Sequence, residues 1–139
     1  MIYVDASALV KLVIDEAEST ALTTWVSGRD LVSSAIAGVE VRRAIGVARA
    51  TDAAAAVPAA GRSIVGTAEE VLRRVTLLSI EDRVLQRAAE LQPPTLRTID
   101  AIHLATALTL GASEGLVTYD RRLSEAARDA GLFVFSPGA

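Results

Sequence analysis

The chain has 139 residues, 51% hydrophobic and 22% charged, which fits one globular domain burying roughly two-thirds of its unfolded surface and excludes a disordered chain. It has no cysteine and a single histidine, His103. Disulfides, thiolate sites and multi-histidine zinc centres are therefore excluded, and any metal would need oxygen ligands, as magnesium or manganese prefers. The net charge of −3 gives no general basic footprint for nucleic acid, although an acidic metal site lowers net charge while arginines elsewhere hold phosphates.

In chain order, Ile2, Tyr3 and Val4 form a short run of strand formers that Asp5 ends, and Ala6 to Ile14 reads as a helix. A carboxylate at the carboxyl end of a buried strand sits where open α/β sheets bind ligands. Ser7, in the helix's first turn, is close enough to support the same site. Asp5 is equally a good helix cap, and that reading stands beside the functional one. The strand starting directly after Met1, with no basic region or cleavage site, predicts no signal peptide, and no apolar run is long enough to span a membrane. A cytoplasmic protein is the expectation.

After a polar break at 15–19, Ala21 to Val26 reads as a helix closed by Gly28, and Leu31-Val32 as a second strand. Ser33-Ser34 looks like the cap of a helix over 35–50, on which Ile36, Val39, Arg43 and Val47 share related faces and Glu40 sits in the second turn among apolar neighbours. Residues 52–75 read as an alanine-rich helix pair, or one bent helix, broken near Pro58 and Gly61. A strand over Thr76–Ser79, a helix over 80–91, a loop to Thr98 and an apolar helix over Ile99–Leu110 ended by Gly111 follow. Gly115 to Asp120 is a strand ending in Asp, 121–130 a helix and 132–135 an edge strand. Alternating short strands and helices predict an α/β fold: a single domain over 1–139, three α/β/α layers around a short-stranded, mostly parallel sheet.

Four carboxylates occupy unusual contexts. Asp5 and Asp120 each end an apolar strand, Asp100 lies in the first turn of a nearly all-apolar helix, and Glu40 is flanked by apolar residues. Each has a bland account as a cap or a dipole partner, Glu40 the weakest. Arg42 and Arg43 point to other faces than Glu40, and no lysine or histidine lies near it in sequence. Clustered carboxylates raise one another's pKa unless a divalent cation neutralises them, so one oxygen-ligand metal held by two strand-end and two helix acids is the economical explanation.

The segments Val4-Asp-Ala-Ser-Ala-Leu9, Ser34-Ala-Ile-Ala-Gly-Val-Glu-Val41, Leu96-Arg-Thr-Ile-Asp-Ala-Ile-His-Leu-Ala105 and Leu116-Val-Thr-Tyr-Asp-Arg-Arg-Leu123, in this order and spacing, resemble the PIN-domain ribonucleases, and among them the VapC toxins of toxin–antitoxin pairs. The resemblance spans nearly the whole chain; over 51–75 it is only architectural. It implies a PIN-like fold and magnesium-dependent endonucleolytic hydrolysis of RNA, manganese substituting. The family's metal-site acids fall on Asp5, Glu40, Asp100 and Asp120, and its small hydroxyl residues on Ser7 and Thr118. Arg97 and Arg121 are candidate phosphate contacts, with Arg122 as readily a solvated surface residue. His103, one turn after Asp100, reads as a packed, hydrogen-bonded histidine in preference to a catalytic one.

The resemblance also implies a cognate VapB-like antitoxin whose tail covers the acidic pocket, and a homodimer; the first helices and the 51–75 region are candidate faces for either, or ordinary core. An Asp-x-Asp phosphotransferase would need an aspartate where Ser7 stands, and a receiver domain a lysine near the last strands, whereas the only lysine is Lys11. A non-catalytic RNA- or protein-binding module is the remaining alternative.

Overall fold

The structure, a computed structural model, describes residues 1–51, 63–112 and 114–139. Its elements are β1 (Ile2–Val4), α1 (Ala6–Lys11), α2 (Ser19–Val26), β2 (Leu31–Ser34), α3 (Ala35–Ala50), α4 (Ile64–Arg73), β3 (Val75–Leu78), α5 (Asp82–Glu90), α6 (Thr98–Leu110), β4 (Leu116–Val117), α7 (Arg121–Asp129) and β5 (Val134–Phe135). The five strands form one all-parallel sheet in the order β3-β2-β1-β4-β5. The chain builds outward from β1 through β2 to β3, then returns to the other side of β1 for β4 and β5. The switch in direction therefore falls between β1 and β4, where open α/β sheets leave a crevice at the strands' carboxyl ends.

Side-chain alternation along β1 assigns the layers. Ile2 and Val4 pack with Leu9, Leu22, Val41 and Leu72 under α1 to α4. Tyr3 points the opposite way, into a second core with Val32, Leu104, Leu116 and Leu123 under α6 and α7. Each face of the central strand is thus covered, as a parallel sheet requires. No helix of the described residues is long and apolar enough to cross a membrane.

Local differences from the sequence reading have local causes. The first helix closes at Lys11 instead of reaching Ile14, because Leu12 and Val13 donate to Leu9 and Val10 carbonyls in a tightened last turn. The buried face of α3 is Ala37, Gly38, Val41 and Ile45, whereas Val39 and Val47 are 53% and 61% exposed. β2 extends through Ser34, which still caps α3 by accepting from the Ile36 amide, and β3 begins one residue early at Val75. The strand expected over 115–120 pairs regularly only at Leu116 and Val117. The helical break assigned to Pro58 and Gly61 lies outside the described residues. Gly115, at φ +110°, cannot be replaced freely, since a Cβ there would lie 2.4 Å from the Phe133 carbonyl oxygen that accepts the Leu116 amide at 2.8 Å.

Candidate active site

Parallel pairing of Val4 with Val117 carries the two chains out of the sheet side by side, so Asp5 and Thr118 emerge as neighbours. The Asp5 amide continues the ladder by donating to the Val117 carbonyl at 3.1 Å. Asp5 is almost wholly buried and accepts four hydrogen bonds. The Ala8 amide reaches Oδ1 at 3.0 Å, the Ser7 hydroxyl reaches Oδ1 at 2.7 Å and Oδ2 at 3.0 Å, and the Thr118 hydroxyl reaches Oδ2 at 2.6 Å. Both hydroxyls also accept a backbone amide, Tyr119 on Ser7 at 2.8 Å and Asp120 on Thr118 at 3.0 Å. With those acceptor positions in use, their protons are aimed at Asp5. Burial pushes the Asp5 carboxyl above its ordinary value, and the bonds from Thr118, Ala8 and Ser7, with His103 nearby, pull it back.

The capping and site readings coexist in the same side chains. Asp5 caps α1 through Oδ1, and Asp120 caps α7 by accepting the Leu123 amide at 2.9 Å, also through Oδ1. Asp100 differs: it lies in the first turn of α6 without capping it, and its buried Oδ2 has no hydrogen-bond partner. Burial, then repulsion from Asp120, raises its pKa; Arg97 and His103 oppose the shift, and Asp5 adds to it.

Glu40 reaches the same place from the second turn of α3. Its Oε2 lies 2.7 Å from His103 Nε2, which meets the cost of a half-buried carboxylate with a partner 63 residues away. His103 is buried, and its Nδ1 lies 2.8 Å from the Tyr3 hydroxyl, which accepts the Ser34 amide at 3.0 Å. Burial drives the Tyr3 phenol well above its ordinary value. Neither the role of Tyr3 nor this partner for Glu40 emerged from the sequence reading; the signals present were the i, i+3 spacing of Asp100 and His103 and the opposite facing of Tyr3 within β1.

One cavity of about 430 Å³ gathers Asp5, Glu40, Asp100 and Asp120 on its walls, with Ser7, Arg97, His103 and two unforeseen residues, Lys11 and Glu16. Lys11 pairs with Glu16 at 2.5 Å and Glu18 at 2.8 Å. Thr118 supports the floor from complete burial. Arg121 is not on these walls: it lines a separate groove with Arg122, Leu96 and Glu125 and is almost fully exposed beside Glu125.

The donor chemistry of this cavity fits a hard divalent cation: besides Glu16, which pairs with Lys11, it has four carboxylates, one of them carrying a buried oxygen without a partner. Among the described residues, no group of three or more acidic or histidine side chains is drawn together tightly enough to hold an ion as it stands.

Comparison with known proteins agrees with this architecture. Residues 2–129 match the PIN domain family. The chain is 44% identical to Ribonuclease VapC46 of Mycobacterium tuberculosis, covering 98% of this chain and 97% of that protein. It is 42% identical to Ribonuclease VapC35 of the same species, over 99% and 98% of the two chains, and 36% identical to Ribonuclease VapC47, over 100% and 98%. Among solved structures, the sarcin-ricin loop cleaving toxin VapC20 of M. tuberculosis superposes with a TM-score of 0.69 over 99% of this chain and 100% of that one, at 16% identity, a likeness of fold. With this sheet order, these full-length matches and the PIN match over most of its length, the chain belongs to the PIN-domain family, among the VapC ribonucleases.

Proposed function

We propose that this PIN-domain ribonuclease is a toxin that cuts RNA endonucleolytically, using a divalent cation held by Asp5, Asp100 and Asp120, with Glu40 completing the site or orienting the attacking water. The carrying observation is that four carboxylates from four separate segments line one cavity, one of them with a buried, partnerless oxygen. Magnesium is the expected cellular ion, with manganese able to substitute; a cation so held lowers the pKa of water and offsets charge on the phosphate and leaving oxygen.

The protein's own contribution is positional. Ser7 and Thr118 aim their protons at Asp5 and oppose the upward pull of burial on its pKa. The caps on α1 and α7 pin one oxygen each of Asp5 and Asp120, which fixes where the remaining oxygens lie. Arg97, on the cavity wall beside Asp100, is placed to hold the scissile phosphate against the surrounding negative charge. Arg121, in the adjacent groove, suits a phosphate further along the strand.

A cognate VapB-like antitoxin fits as the inhibitor, since a basic side chain entering this cavity would meet its cluster of acids. A homodimer and a cytoplasmic location complete the reading, and the whole chain, 1–139, acts as one domain. The test is cleavage of total cellular RNA and defined stem-loop RNAs by antitoxin-free protein, with magnesium or manganese against EDTA, beside Asp100→Asn. Products that require the ion and vanish in the variant are expected. Products that persist in EDTA or in the variant would overturn the carboxylate mechanism, and ion binding without RNA turnover would favour a binding module.

A further inference from the structure

The proposed chemistry leaves unused a buried polar chain running from the backbone of β2 to Glu40, a site acid that caps no helix. The Ser34 amide donates to Tyr3 Oη at 3.0 Å, Tyr3 Oη meets His103 Nδ1 at 2.8 Å, and His103 Nε2 meets Glu40 Oε2 at 2.7 Å. We infer that His103, oriented by Tyr3, is the positioning residue for Glu40: its Nε2–H fixes Oε2 and leaves Oε1 for a cation or the attacking water.

The directions of the protons follow from the partners. A carboxylate only accepts, so Nε2 carries the hydrogen. In the neutral ring Nδ1 is then bare and can only accept, so the Tyr3 hydroxyl, which itself accepts the Ser34 amide, donates its proton there. The imidazole is thereby set as a single tautomer, with its plane fixed from both ends and its ring edge-on to Tyr3, centroids 5.9 Å apart at 76°. The anchor is rigid: Tyr3 and His103 are fully or nearly buried, and the far end of the chain is a β-sheet amide.

Glu40 needs such an anchor more than the aspartates do. Its side chain has one more rotatable bond than aspartate, and it projects from mid-helix without a capping bond to restrain it. Asp5 and Asp120 are held by backbone amides; Glu40 is held by an imidazole. Hydrogen-bond partners of this kind, one step removed from a metal, typically govern its binding by about 10- to 100-fold when removed.

This inference rests on the metal-dependent reading above, and its test separates the two. His103 is the only histidine, so the nitrogen resonances of an imidazole in uniformly 15N-labelled, metal-free protein report its tautomer without ambiguity. The expected spectrum, in mildly alkaline buffer, has the proton on Nε2 and a bare Nδ1, and Tyr3→Phe should release the Nδ1–H form. A proton on Nδ1 in the wild type overturns the inference whether or not any RNA is cut.

The second measurement is Mn2+ binding by titration, with kcat and KM on a stem-loop RNA, in His103→Leu and His103→Gln, each first shown to be folded by its thermal transition. Leucine should weaken Mn2+ binding and lower kcat by roughly 10- to 100-fold with little change in KM. Glutamine, whose amide N–H can stand in for Nε2–H, should recover most of both. Equal losses in the two variants, or no loss in His103→Leu, would reduce His103 to a packing residue. Failure of the wild type to cleave would instead fall on the proposed function, while the tautomer and the Mn2+ titration still decide the role of His103.

Discussion

Replacing Asp100 by asparagine should stabilise the metal-free protein while abolishing cleavage. Burial and Asp120 make the Asp100 charge costly, and asparagine removes that charge while keeping a polar atom where the partnerless oxygen lies, so only the electrostatic part of the cost is recovered. Asp100 is only partly buried, and solvent screening limits that part to about 0.5–1 kcal/mol. For a domain of this size that corresponds to a rise in Tm of about 2–5 °C.

The pH dependence carries the sign. Burial and Asp120 raise the folded pKa of Asp100 above its ordinary 3.8, so over the window between the two values the native state keeps a proton that the unfolded chain has released. Stability therefore falls as pH rises through that window, and the penalty is complete above the folded pKa. The gap between variant and wild type should be absent in acid, open as pH rises past 4, and stay constant at neutral pH. Added manganese should reverse the order, because an ion at 100 times its Kd adds about 2.7 kcal/mol to a protein that binds it only when folded. Differential scanning calorimetry in EDTA, across pH and then with Mn2+, measures all of this. An Asp100→Asn protein melting at or below the wild type at neutral pH in EDTA would refute the reasoning.

Asp5→Ala should move the other way, because Asp5 is both a cap and the acceptor of the short bond from the wholly buried Thr118 hydroxyl. The lost cap alone costs about 0.5–2 kcal/mol, so its Tm should fall, and a melt in EDTA distinguishes it from Asp100→Asn although both are expected to be inactive. Arg97→Gln should raise KM for RNA and flatten its salt dependence, whereas Arg121→Gln, outside the acidic cavity, should alter KM less; steady-state kinetics across ionic strength compares them. Gly115→Ala forces a Cβ against the Phe133 carbonyl at positive φ; it should lower Tm by an amount matching about 1–3 kcal/mol of strain while leaving Mn2+ affinity unchanged at equal folded fraction.

Much of the architecture was legible in the linear chain because its causes are short-range. Apolar runs too brief for helices, each followed by a helical stretch, specify parallel βα units, and the caps Asp5, Ser34 and Asp120 lie next to the helices they start. The element ends were less legible, as at Lys11, where tightened hydrogen bonds close the helix before its apolar pattern ends. The inward face of α3 was also obscured, since Val39 and Val47 are as apolar as the residues that pack.

The four acids announce themselves in the sequence by context, and Ser7 by its nearness to Asp5. Their relations are set in three dimensions. Strand order places β4 against β1, and only that pairing puts Thr118 on Asp5 across 113 residues. α3 on one face of the sheet and α6 on the other bring Glu40 and His103 together, and the pleat of β1 turns Tyr3 to meet His103. The same geometry separates Arg97 from Arg121, alike in the sequence and different in their surroundings. Helix starts, strands and candidate acids come from interactions within a few residues, which the chain displays directly. Which acid is capped, which is paired and which is left with an unpartnered oxygen depends on distant segments meeting, and no local pattern encodes that.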